Sequence, residues 1–246
     1  MKSVFVEVKN MNIECIWEHN GDDSILYSSN IIGAFTRGAT KGEAIKKMPL
    51  EVAAYTKWMD GSVLLPSISD VEVIQEKASE LNICDADSDV LFDTEKTALS
   101  ADEYTRLKAL ALKSAKDFLA LYEAFPDKNR SVLAARKTFY GDIPRTAEEM
   151  YQHTKNVNAY YFGEIGIEAD NNGSILECRK RGFETLERQP NYLELGVFDG
   201  SYGELWSLKK VLRRFIWHDR IHAKAMYRMG IKTFGRSTIP DIFNFD

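Results

Sequence analysis

Two histidines one helical turn apart are the residues of this 246-residue chain whose type and spacing point most directly to chemistry. His218 and His222 are four positions apart, so on a helix their imidazoles lie on one face, one above the other. They fall on a row that is otherwise apolar, made up of Leu208, Leu212, Phe215, Met226 and Met229. A buried imidazole without a partner is costly, and two imidazoles at this spacing can share one metal ion. The row therefore predicts either two separately hydrogen-bonded histidines or a metal site.

A third histidine strengthens the metal interpretation, because the chain has only four. His153 lies on the apolar row of another predicted helix, between Met150 and Val157. Three imidazoles from two helices leave a fourth coordination position for water or substrate. A thiol or water bound there to a divalent cation has a lowered pKa, so that a nucleophile exists at neutral pH.

An acid or base partner is harder to identify, and the catalytic residues stay unassigned. Tyr160, Tyr161, Glu164 and Asp219 are near the histidines in sequence, but spacing singles out none of them. We expect Asp219 to form one half of a solvent-exposed ion pair on its helix rather than to orient a ligand histidine.

A basic stripe lies on the face of the last helix opposite the histidines. Six residues share this face: Lys209, Arg213, Trp217, Arg220, Lys224 and Arg228. We expect an ordinary solvated face, although an interdomain surface is the alternative.

The second half of the chain must supply the helices that carry these residues. Within this half, a Ser or Thr followed three positions later by Glu occurs four times, at Ser100, Thr146, Ser174 and Ser201, and is the signature of a capping box. We expect four helices, over residues 101–125, 147–165, 175–189 and 202–229, which Pro126, Gly166, Pro190 and Gly230 bring to an end.

The first half of the chain is predicted to form a small α+β unit. Alternating apolar residues predict strands at 3–8, 12–17 and 24–27, with a turn at 20–23, and further strands at 71–74 and 90–92. Thr40 is expected to cap a helix over residues 41–59, which Pro49 should kink or shorten.

Charge divides the chain unevenly. Residues 1–97 carry 9 basic against 17 acidic residues, and residues 98–246 carry 23 against 20. This step predicts two domains, 1–97 and 98–246, and neither half has the basic excess of a nucleic-acid-binding protein. The chain has no apolar run of the roughly 20 residues that a membrane span needs. With no signal-peptide pattern and three widely spaced cysteines, we expect a cytoplasmic protein without disulfides.

The stretch Gly33-Ala34-Phe35-Thr36-Arg37-Gly38-Ala39-Thr40, followed by a helix that opens near Glu43-Ala44, resembles the HicB antitoxin-like fold. The resemblance covers about the first 60 residues. It implies a binding or docking module without chemistry of its own.

The histidine pattern resembles the DinB-like four-helix-bundle superfamily over residues 98–235. One histidine lies in the middle of the second helix, and His218-Asp219-Arg220-Ile221-His222 lies on a long fourth helix after Trp206-Ser207. The resemblance implies a divalent metal (zinc, nickel or iron) bound by His153, His218 and His222, and a transferase that acts with a low-molecular-weight thiol on a small-molecule substrate.

Together these expectations give an α+β protein: a small HicB-like α+β domain followed by an all-α DinB-like four-helix bundle. The alternative function is a non-enzymatic binding or regulatory protein, in which the metal is structural or vestigial and the first domain docks a partner. The enzyme predicts a cleft beside His153, whereas the binding protein predicts a closed site and exposed apolar residues on the first domain. A homodimer is compatible with both.

Overall fold

The computed structural model describes residues 12–138 and 141–246 and shows a mixed α+β protein. Among these residues it has five α-helices and a four-stranded sheet. The chain divides into two compact units between Ser88 and Asp89. The strand predicted at residues 3–8 lies outside the described residues. In the described ranges, no helix is both long and apolar enough to cross a membrane.

The first unit is built on a sheet with the strand order β3-β2-β1-β4. The strands are β1 (Ile13–His19), β2 (Ser24–Ser28), β3 (Phe35–Gly38) and β4 (Val71–Ala78). β1 and β2 are antiparallel and are joined by the predicted turn, in which the Asn20 side chain accepts hydrogen bonds from the amides of Asp22 and Asp23. β4 returns parallel to β1.

Helix α1 (Lys41–Asp60) connects β3 to β4 and packs against the sheet. The Thr40 hydroxyl accepts from the amide of Glu43 and caps the helix, as predicted. Gly38 is required just before it, because a Cβ there would lie 2.8 Å from the backbone nitrogen of Ala44. Pro49 lies inside the helix and does not shorten it.

The described part of the second unit contains four α-helices: α2 (Ala101–Glu123), α3 (Ala147–Gly163), α4 (Ile175–Glu187) and α5 (Leu208–Phe234). Both α2 and α3 pack against α4 and α5, so that α4 and α5 face each other across the core. Two short hairpins lie between the helices, β5 (Lys137–Thr138) with β6 (Gly141–Asp142), and β7 (Phe198–Asp199) with β8 (Leu205–Trp206).

The N-terminal boundaries of α2, α3 and α4 agree with the capping prediction. Ser100, Thr146 and Ser174 each accept a hydrogen bond from the amide three residues later. The prediction for the last helix was wrong, because α5 starts at Leu208 and not at Tyr202. Ser207 is its N-cap, and Ser201 lies instead in the turn of the β7–β8 hairpin.

The end of α5 was also predicted wrongly, because the helix continues through Gly230 to Phe234. Gly230 is a packing glycine: a Cβ there would lie 2.6 Å from Phe125 and 3.0 Å from Ile239. The helix ends at Gly235, which has the positive φ of 92° that glycine adopts readily.

Residues 89–97 belong to the second unit, although the charge step places them in the first domain. They do not include the strand predicted at 90–92. Their backbone carbonyls accept from side chains of α5: Lys210 donates to Asp89 at 2.9 Å and Arg213 donates to Val90 at 2.9 Å. Arg213 also forms a buried ion pair with Glu95.

The basic stripe is therefore only in part the solvated face that the sequence predicts, because three of its six residues are buried. Arg213, Trp217 and Arg220 are at most 2% exposed. Residues 89–97 cover one end of this face, and the C-terminal segment covers the other, where Arg220 donates to the carbonyl of Phe243 at 3.2 Å. The arginine charges are accommodated because an acidic residue and backbone carbonyls meet them.

Candidate metal centre

The three predicted histidines come together on two adjacent helices of the second unit. His153 projects from α3, and His218 and His222 project from consecutive turns of α5. His218 is buried, His222 is half-buried and His153 is exposed. The cluster therefore has a buried side and an open side.

The ligand atoms of the three imidazoles lie within 4.8 Å of one another, and the two Nε2 atoms of His218 and His222 are 3.1 Å apart. Metal–nitrogen bonds of about 2.1 Å in a tetrahedral site place ligand nitrogens roughly 3.4 Å apart. Small side-chain rotations would thus bring all three nitrogens onto one ion. The residues fit a divalent cation of the kind that imidazole prefers, such as zinc, nickel or iron.

The protonation state also suits a metal. Burial, together with the neighbouring imidazoles, holds the pKa of His218 well below its ordinary value and lowers the pKa of His222 to about 3. The protein packed around His153 lowers the pKa of that ring too, although one side of the residue is exposed. All three rings are therefore neutral at pH 7, the form in which imidazole binds a metal.

The short distance between the Nε2 atoms of His218 and His222 has a second interpretation. Two neutral imidazoles can share a hydrogen bond at this distance of 3.1 Å. This bond satisfies one nitrogen of His218. Its other nitrogen, Nδ1, is buried and has no hydrogen-bond partner among the residues the structure describes. A metal ligand usually donates from this position to a carboxylate or carbonyl, and that support is missing for His218.

A cleft of about 660 Å³ lies on the open side of the cluster and is lined in part by His153. Residues 135–137, 142–145 and Glu149 form its other walls. Of the three histidines, only His153 lines this cleft. It gives a small molecule access to the exposed ring.

Of the two tyrosines, Tyr161 lies on the buried side of the cluster, with its ring centroid 5.9 Å from that of His218. Burial raises the pKa of Tyr161 to about 12, so this residue stays a neutral phenol. Tyr160 is 37% exposed and packs edge-on against Trp206. Tyr161 is thus the nearer of the two to the histidines.

Neither of the two carboxylates considered from sequence faces the histidines as an acid or base. Glu164 accepts a hydrogen bond from the amide of Ser201 at 2.6 Å and holds the β7–β8 hairpin. Asp219 forms a bidentate ion pair with Arg179, and both side chains are fully buried.

The expectation that Asp219 lies in a solvent-exposed ion pair is therefore wrong. Arg179 reaches from α4 across the core to Asp219 on α5, and Ser114 of α2 donates to the same carboxylate. Burial raises the pKa of Asp219, and the guanidinium of Arg179 opposes this shift. The pair links three helices directly beside His218.

Sequence reasoning missed Arg179, although a signal for it exists. Arg179 lies four residues after Ile175 and four before Phe183, both fully buried. It is therefore a charged residue on an apolar row, the same pattern that singled out the histidines.

Comparisons of the chain with models of known protein families, with curated proteins and with solved structures find no match.

Proposed function

We propose that the second unit is a metal-dependent enzyme that holds one divalent cation on His153, His218 and His222. One observation carries the proposal: three imidazoles from two helices have their ligand atoms within 4.8 Å, and the exposed one, His153, lines a cleft. Three protein ligands with an open position are typical of catalytic rather than structural metal sites.

A divalent cation at this position supplies Lewis acidity, which lowers the pKa of a thiol or water that binds beside the histidines. The residues of the protein position the histidines and give the substrate access to them. His218 and His222 are fixed on consecutive turns of α5, and the buried Arg179–Asp219 pair holds that helix against α4. His153 occupies the exposed corner, next to the cleft through which a substrate enters.

For the reaction class we propose transfer of a group to or from a small thiol. The resemblance of the histidine pattern to the DinB-like superfamily supports this choice, and the four packed helices are compatible with such a bundle. As part of the same proposal, the first unit is a HicB-like module. Its short sheet, its Gly38 turn and the Thr40-capped helix support that assignment.

The decisive experiment is elemental analysis of untagged protein, before and after incubation with zinc, nickel and ferrous iron. We expect about one metal ion per chain in the parent and none in the His218→Ala/His222→Ala double variant. A His19→Ala variant serves as the control, because His19 lies on β1 of the first unit, and it should keep the metal. Parent protein that takes up none of the three metals would refute the proposal.

A second candidate function is a docking protein with a structural metal. Its supporting observation is that five large apolar side chains of the first unit are 46–79% exposed, namely Leu50, Val63, Leu65, Ile68 and Ile74. Such exposure is typical of a binding surface where the side chains are contiguous.

Cobalt substitution separates the two candidates. In an open site, 2-mercaptoethanol adds a thiolate-to-cobalt charge-transfer band to the absorption spectrum of the cobalt protein. Without that band, the cation is shielded from small thiols, and the docking function is the better account.

A further inference from the structure

We propose that the cleft beside His153 is an anion-binding subsite, which selects a small substrate carrying a carboxylate or phosphate group. This inference rests on the proposed function, because the anionic molecule would be the substrate that reaches the metal. It adds the chemical class of that substrate.

The first argument is the charge of the cleft. Three basic side chains line it, Arg136, Lys137 and Arg145, against the two acidic side chains of Asp142 and Glu149. The excess is positive before any metal is counted, and a bound cation adds to it. The protein as a whole has a net charge of −5, so this cleft differs in sign from the rest of the chain.

The second argument is that both acidic groups are already engaged. The carboxylate of Glu149 accepts from the amides of Arg145 at 2.8 Å and Thr146 at 3.2 Å, where it closes the capping box of α3. Asp142 pairs with Lys137 across the β5–β6 hairpin at 3.6 Å. Among the described residues, neither carboxylate forms an ion pair with the side chain of Arg145.

The third argument concerns Arg145 itself. Its side chain is exposed and forms no ion pair within residues 12–138 and 141–246. A planar guanidinium matches the two oxygens of a carboxylate or phosphate, which makes arginine the usual residue for binding such groups. Arg145 is thus the principal anion ligand, and His153 lies in the wall of the same cleft.

Isothermal titration calorimetry tests this inference with three probes: succinate, inorganic phosphate and the neutral analogue succinamide. Each probe is titrated into zinc-loaded protein and into chelator-treated protein. We expect the anions to bind and succinamide not to bind. Whichever of succinate and phosphate binds more tightly identifies the anionic group.

Arg145→Gln should weaken anion binding about 10-fold, the size expected for the loss of one charge-assisted hydrogen bond. Arg188→Gln is the matched control, because Arg188 is also exposed and lines a different cleft. Equal binding of succinate and succinamide, or equal effects of the two substitutions, would overturn the inference.

These titrations distinguish a failure of the anion subsite from a failure of the proposed metal enzyme. A protein that binds no metal but binds anions through Arg145 would support the subsite and refute the metal enzyme. A protein that binds metal but no anion would refute the subsite alone.

Discussion

Removing the charge of Asp219 should destabilise the second unit severely. Asp219→Asn keeps the shape of the side chain but leaves the guanidinium of Arg179 without a counter-charge in the core. Both residues are fully buried, and Ser114 and Ala111 supply the remaining hydrogen bonds. None of these neutral groups replaces the lost charge.

The expected cost follows from that burial. Breaking one partner of a buried ion pair costs about 3–5 kcal/mol, because the other charge stays buried without compensation. One kcal/mol shifts the Tm of a protein of this size by about 2–4 °C, so Asp219→Asn should lower the Tm by roughly 6–20 °C. Thermal unfolding followed by far-UV circular dichroism measures this shift, because the helices dominate that signal.

Asp170→Asn is the matched control, because Asp170 also forms a bidentate pair with an arginine of α4. Its partner Arg181 is 43% exposed and Asp170 is 44% exposed, so water can solvate the arginine that remains. We expect little change in Tm. If the two substitutions cost the same, the reasoning about the buried charge is refuted. Combining Asp219→Leu with Arg179→Met should recover most of the loss, because no unpaired charge remains.

Two further predictions concern the limits of α5. Ser207→Ala should lower the free energy of unfolding by about 1 kcal/mol, because its hydroxyl caps the helix, whereas Ser201→Ala in the hairpin turn should have almost no effect. Urea denaturation measures both, and the reverse order would contradict the observed start of the helix. Gly230→Ala should cost about 1–3 kcal/mol through overpacking, since the new Cβ would lie 2.6 Å from a phenylalanine ring. Gly163→Ala, where nothing lies within 4 Å, is its control, and an equal loss at both glycines would refute the packing argument.

Local chemistry explains which elements the sequence predicts well. Ser100, Thr146 and Ser174 cap their helices with hydroxyl and amide groups only three residues apart, so a short sequence pattern suffices. Ser201 has the same pattern and fails. Two glycines flank the Ser201–Tyr202 pair, and the chain there turns into a hairpin before the helix begins.

The sequence does not predict which side chains of α5 are buried by distant segments of the chain. Periodicity places Arg213 and Arg220 on the face opposite the histidines, but their exposure depends on segments far away in sequence. Glu95 lies 118 residues from Arg213, and Phe243 lies 23 residues from Arg220. No periodic pattern along α5 reveals such a partner.

The histidine cluster can be predicted only in part from the sequence. The spacing of His218 and His222 fixes their common face within one helix. The approach of His153 depends on how α3 packs against α5, and the structure does bring the three rings together. Whether they hold a metal stays a prediction, because the hydrogen bond between His218 and His222 is an alternative use of the same geometry.

The parallel pairing of β1 with β4 has a consequence for the rate at which the first unit folds. Ile13 pairs with Val71, so the chain between them, which carries β2, β3 and α1, must close as one long loop before this edge of the sheet can pair. Closing a long loop costs entropy before its contacts contribute, and proteins rich in such distant pairings fold slowly. The second unit also depends on a distant pairing, because α2 packs most extensively against α5, and Ser114 of α2 contacts Asp219 of α5, 105 residues later. Neither unit can complete its core from local contacts alone, so refolding from urea should be slow in both units. Trp17 and Trp58 report on the first unit, and Trp206 and Trp217 report on the second.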